Sequence, residues 1–126
     1  MKKRNLFALG AGGFGILLSL AFIMPSDAGR NVDYTFTLTA RKMAYLGGEQ
    51  PLEVTPGSRV RIVLVNADKG IEHDLQLEWM PRKRIPLLKY QGMGEIIFRV
   101  PEKPGIYEYY CTPHSTMMRG RILVKN

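Results

Sequence analysis

The alternation that runs from Asp33 to the C-terminus constrains this chain more than any other feature. In "DYTFTLTA", Tyr34, Phe36 and Leu38 fall on one side of an extended strand, and "IEHDLQLEW" (71–79) alternates along its whole length. Successive side chains of a strand point to opposite faces, so a period of two marks half-buried strands. "RVRIVLVN" (59–66) is apolar and β-branched. "EIIFRV" (95–100), "GIYEYYC" (105–111) and "RILVK" (121–125) read as further strands, and "PLEVT" (51–55) as a shorter one. Gly47-Gly48, Pro56-Gly57, Lys69-Gly70 and Pro104-Gly105 punctuate these runs. Turns about every ten residues, with no sustained helical period, predict an all-β antiparallel sandwich or small barrel. "MPRKRIPLLKYQGMG" (80–94), with two prolines and mixed polarity, reads as a long surface connection with at most one short strand or turn of helix.

The first 28 residues are a different material. A basic start, "MKKRN", precedes "LFALGAGGFGILLSLAFIM" (6–24), which carries no charge, and then "PSDAG". Ser26 and Ala28 have the small-x-small spacing of a cleavage site, so 1–28 reads as a secretory signal peptide. The apolar run is also near the length that spans a bilayer, which makes an uncleaved membrane anchor over 6–24 the rival reading. No cysteine lies near residue 28 to carry a lipid. Either way the basic start stays in the cytoplasm and residues 29–126 form one exported domain, periplasmic or on the outer face of the cytoplasmic membrane. Of the chain's 18 basic and 11 acidic residues, three and one belong to the leader, so the domain keeps a modest positive excess. Such an excess suits an acidic partner or an anionic lipid surface, and equally a plain solvated surface. The cluster Arg82-Lys83-Arg84 is too short, and too poor in neighbouring aromatics, to indicate nucleic acid.

The single cysteine, Cys111, sits in "YYCTPHSTMMRG" (109–120). An exported chain with one cysteine forms no internal disulfide, and a free thiol in an oxidising compartment needs burial or a bound partner. Taken singly, each neighbouring donor has a bland explanation. His73 shares a strand face with Ile71, Leu75, Leu77 and Trp79, where a histidine usually serves the core. Cys111 ends a strand as a small hydrophobe would, and Met117 and Met118 fill gaps. Taken together, both histidines, the only cysteine and two of the seven methionines become candidates for one site. Pro113 ends the strand and puts His114 on a loop beside Cys111. Two imidazoles and a thiolate with a weak axial thioether form the electron-transfer copper arrangement, whose soft thiolate suits Cu(I) and whose imidazoles suit both oxidation states.

"EHDLQLE" and "YYCTPHSTMMRGRILVK" resemble the blue copper proteins, the cupredoxins, in their small plastocyanin, pseudoazurin and amicyanin group. "EVTPGSRVRIVLVNAD" and "VPEKPGIYEYYCTPH" resemble the family's context on either side, so the resemblance spans about residues 33–125. It implies a Greek-key β-sandwich binding one type 1 copper ion, with His73, Cys111 and His114 as equatorial ligands. The family's methionine tends to precede an x-Gly-basic step into the last strand, which selects Met118, in "Met118-Arg119-Gly120-Arg121", over Met117. Asp74 stands where the family often has asparagine, and would accept a hydrogen bond from Thr112 unless it faces solvent. A single cysteine excludes a binuclear centre bridged by two thiolates.

The function so implied is non-enzymatic: the protein shuttles single electrons between redox partners, such as cytochromes or a membrane electron-transfer complex, outside the cytoplasmic membrane. His114 is its exit and basic residues steer an acidic partner. The rivals are an anchored copper subunit of a respiratory or photosynthetic complex, a copper delivery or storage protein, and a copper enzyme with an open, water-accessible site. No carboxylate pair, nucleophile triad or phosphate loop points to other chemistry.

Overall fold

A computed structural model of the chain describes residues 31–126. The signal peptide or anchor expected over 1–28 lies outside the described residues. Among those described, no helix is long and apolar enough to cross a membrane.

Nine strands among the described residues form two sheets. β2 (Ala44–Leu46), β1 (Tyr34–Arg41), β4 (Arg59–Asn66) and β7 (Met93–Arg99) make one, in that spatial order. The other runs β3 (Leu52–Val54), β9 (Arg119–Val124), β8 (Gly105–Tyr110), β5 (His73–Leu77) and β6 (Met80–Leu88). The chain crosses repeatedly from one sheet to the other, and the result is the Greek-key sandwich. Most strand pairs are antiparallel, but β1 pairs β4 and β3 pairs β9 in parallel, because the chain changes sheets between those partners instead of turning back in a hairpin.

Alternation builds the core. In β4, Val60, Ile62, Leu64 and Asn66 face inward, and from the opposite sheet Leu75, Leu77, Ile85, Tyr109 and Ile122 meet them, all fully buried. Asn66 ends the inward row of β4 as a clamp. Its Nδ2 donates to the carbonyls of Ile71 (2.7 Å) and Leu88 (2.8 Å), and its Oδ1 accepts from the amide of Asp68 (2.8 Å). The loop between β4 and β5 is thereby fixed to the end of β6.

Two sequence expectations are corrected. Residues 80–88 are a nine-residue strand. Its prolines and cations mask the pattern, but it is an edge strand, where one side of the backbone needs no partner. Within β5 the strict alternation fails. The register against β6 shifts between His73 and Leu75, so Asp74 is buried beside His73, which settles the two readings of it in favour of the bond with Thr112. Ile71, expected inside, is exposed because β5 starts only at His73.

Candidate metal centre

At one end of the sandwich the first residue of β5 meets the loop between β8 and β9. Cys111 follows the last residue of β8 and is fully buried. Thr112–His114 then make one turn of 3₁₀ helix with proline in its first positions, where the missing N–H costs nothing. The loop closes on itself: the Cys111 amide donates to Met118 O (3.0 Å), and the His114 amide to Cys111 O (3.1 Å). Met118 N donates back to His114 O (2.9 Å). These bonds fix the mutual positions of Cys111, His114 and Met118 through the backbone. Met118 is buried, whereas Met117 is 64 % exposed.

His73, from a strand 38 residues earlier, completes the cluster. Its Nδ1 lies 3.8 Å from Cys111 Sγ, and His114 Nδ1 lies 3.5 Å from the same sulfur. One donor atom from each of the three residues falls within 4.8 Å of the others. A central ion with bonds of about 2.0 Å to nitrogen and 2.3 Å to sulfur would hold trigonal N and S donors roughly 3.7 Å apart. The observed spacings fit an ion between the sulfur and both Nδ1 atoms. His73 is buried, while His114 is partly exposed.

The surrounding polar groups hold these donors in place. Asp68 Oδ2 lies 2.7 Å from His73 Nε2, which orients the ring with Nδ1 toward the sulfur. The same carboxylate accepts from the amides of Lys42 (2.8 Å) and Met43 (3.3 Å). Those residues adopt positive φ, 52° and 62°, in the turn from β1 to β2. Burial pushes the Asp68 carboxyl up, but the Lys42 amide, the His73 ring and the Met43 amide outweigh it and hold it below the ordinary carboxylate range. Asp74 accepts from Thr112 N (2.7 Å) and Thr112 Oγ1 (2.5 Å), tying the residue after His73 to the residue after Cys111. The Tyr45 hydroxyl donates to the Asp74 carbonyl (2.6 Å), and burial, together with Cys111, raises its pKa well above the usual phenol value. Burial also pushes the Cys111 thiol up to about 11. A metal ion that takes this thiolate therefore displaces a proton.

The four residues singled out in the sequence thus lie at one corner of the sandwich, with His114 reaching its surface, and the Asp74–Thr112 bond expected there is present. Asp68 was not foreseen. Five residues before His73 in a loop, it looks in sequence like any turn carboxylate, and only the fold turns it onto the imidazole.

Residues 32–125 match the family model described as copper binding proteins of the plastocyanin/azurin family. No curated protein matches the sequence. Among solved structures, auracyanin B is similar at 21% identity and a TM-score of 0.63, over 78% of this chain and 96% of that one. Auracyanin A, a "blue" copper protein from the green thermophilic photosynthetic bacterium Chloroflexus aurantiacus, gives 20% and 0.62, over 72% and 98%. A Cu(I) form of an amicyanin variant gives 25% and 0.51, over 78% and 89%. At these identities the likeness speaks to the fold, and the family match speaks to the cofactor, which is copper. The chain belongs to the plastocyanin/azurin family of copper binding proteins.

Proposed function

We propose that the protein is a mononuclear type 1 copper electron carrier, with His73, Cys111 and His114 as equatorial ligands and Met118 as the axial one. The observation that carries this reading is the approach of both Nδ1 atoms to one buried sulfur, 3.8 and 3.5 Å away. Copper, when bound, supplies the one-electron couple. The protein supplies a donor set acceptable to both oxidation states and a frame that resists rearrangement. Asp68 fixes the first imidazole, and the loop's own hydrogen bonds fix the sulfur and the second imidazole. Burial of Cys111, His73 and Met118 keeps bulk water off the ion, which favours electron transfer over ligand exchange. His114 is the exit, since it alone of the four residues is partly exposed, with exposed Pro113 and Met117 beside it.

Adding Cu(II) to the purified domain should produce an intense thiolate-to-copper absorption band and the narrow copper hyperfine splitting of a type 1 centre. Cys111→Ser should lose the colour, and an unchanged spectrum in that variant would remove the thiolate from the assignment. An enzyme with an exchangeable water on copper would show that water by spin-echo methods; the carrier should show none.

The carrier works outside the cytoplasmic membrane, on the reading of residues 1–28 as a leader and 29–126 as the exported domain. Release of a mature chain starting at Gly29 supports a shuttle between redox proteins such as cytochromes. A full-length chain retained in the membrane fraction would instead favour the fixed subunit of a larger complex.

A further inference from the structure

The charge of residues 31–126 is unevenly placed. They hold 14 Lys and Arg against 10 Asp and Glu, and four of the cations lie between Met80 and Gly94, where there is no acidic residue. Elsewhere the described chain balances ten against ten, so its net charge resides on β6 and the turn that follows. β6 is the outer strand of its sheet. Gln76 pairs with Arg84 and the next residue, Leu77, with Met80. Pro81, Arg82 and Lys83 therefore have no counterpart on β5. Arg82, Lys83 and Arg84 are all exposed.

Among the described residues, carboxylates pair with Arg61 (Glu95, 2.7 Å), with Arg119 (Glu108, 2.8 Å) and, within the stretch itself, with Lys89 (Glu72, 2.9 Å). Arg82 and Lys83 have no such partner, and Arg84 only approaches the buried Asp74 at 3.9 Å. Protecting a sheet edge from pairing would not require these three cations, because Pro81 and Pro86 already interrupt it. The strand also lies against the metal centre. Leu88, its last residue, pairs with His73, and Asp74 links Arg84 to Thr112, next to Cys111. Exposed apolar side chains continue the surface there: Leu87 and Tyr90 after the cations, and Ile71 across a shallow depression from Tyr90.

We propose that β6 and the turn after it are the docking surface for the acidic face of a redox protein, which approaches the copper from the His73 side. Arg82, Lys83 and Arg84 steer it, and Leu87, Tyr90 and Ile71 supply the dry contact. This rests on the electron-carrier reading. An anionic membrane would also attract the cations, but it gains nothing from the strand ending beside His73, whereas an electron donor docked along the strand lies against the site. Steering by charge raises the encounter rate and leaves the complex short-lived, as turnover requires.

The test uses the copper-loaded protein and a reduced plant-type [2Fe–2S] ferredoxin as an acidic one-electron reductant. Each ferredoxin loses one electron and each Cu(II) becomes Cu(I). In stopped-flow mixing the second-order rate constant should fall steeply with salt, and Arg82→Glu with Lys83→Glu should lower it about tenfold or more at low ionic strength. The blue absorption and the rate with a small neutral reductant should not change. Hexacyanochromate(III), a redox-inert paramagnetic trianion, should broaden the amide signals of residues 82–90 in the Cu(I) form. A rate within twofold of the wild type after charge reversal, or broadening centred away from β6, overturns the proposal. So does a charge reversal that abolishes only co-sedimentation with phosphatidylserine vesicles, which would mark a lipid-binding strand. A wild-type protein with no blue band defeats the carrier reading itself; a blue protein with a salt-independent rate defeats only the docking surface.

Discussion

The least expected residue is Asp68. One carboxylate accepts from two backbone amides of a left-handed turn and holds the far nitrogen of His73. An anionic acceptor on Nε2 makes the imidazole a stronger donor through Nδ1, which favours the more highly charged copper ion. Asp68→Asn keeps the shape and removes the charge. Its reduction potential should rise, and a tenfold change in the relative affinity for the two oxidation states corresponds to about 59 mV for one electron. Protein-film voltammetry measures this, and an unchanged potential would reduce Asp68 to a turn residue. The same substitution bears on acid stability. Because the folded protein holds the Asp68 carboxyl below its ordinary range, the group stabilises the fold above the unfolded carboxyl pKa. That stabilisation is lost as pH falls through the lower, folded value. In the metal-free protein the variant should therefore show a shallower loss of stability at the acid end, read from urea midpoints against pH.

At the scale of elements, the β8–β9 pairing shows how packing rather than pattern selects residues. Tyr109 lies directly opposite Gly120, its ring is fully buried, and its hydroxyl has no hydrogen-bond partner among the described residues. A Cβ at Gly120 would overlap the ring carbons of Tyr109, whereas a Cβ at Gly48 would clash with its hydroxyl, at 2.5 Å, and otherwise meet Tyr45 O and Leu38 Cδ2 at 3.4 and 3.6 Å. Both alanine substitutions should destabilise the fold by about 1–3 kcal/mol through overpacking. Tyr109→Phe should rescue Gly48→Ala and leave Gly120→Ala impaired, as thermal melts of the two double variants will show. Neither glycine announces this in sequence, where Gly48 reads as half of a turn signal and Gly120 as a step into the last strand. The strands around them were legible because their alternation matches a sheet with one dry face, as in β4. β6 was not legible: on an edge, prolines and a cation run cost little, so nothing selects against a loop-like composition. β2 is only three residues long, too short to show a period. Pattern alone left the face of Asp74 open, because a register shift breaks the alternation that would assign it.

For the molecule as a whole, the metal donors come from two segments that the chain brings together late. Cys111, His114 and Met118 lie on one loop whose spacing is visible in sequence, but His73 is 38 residues away from Cys111, and only the closing of the five-stranded sheet brings it in. A bound ion therefore cross-links β5 to the β8–β9 loop, and the unfolded chain, with its imidazole far from the thiolate, offers much weaker binding. Ligand that binds only the folded state stabilises it by mass action, about 2.7 kcal/mol at a free concentration a hundred times Kd. In a domain of 60–100 residues each kcal/mol is worth about 4–8 °C in Tm. Saturating copper should thus raise the melting temperature by roughly 10–20 °C. His73→Ala and Cys111→Ser should each lose most of that increase, since the cross-link needs both of its ends. Met117→Leu should keep it, because that side chain is exposed and lies outside the donor set. If His73→Ala retained the full copper-induced shift in a calorimetric scan, the ion would be held by the loop alone, and the link between the two segments would play no part in the stability of the fold.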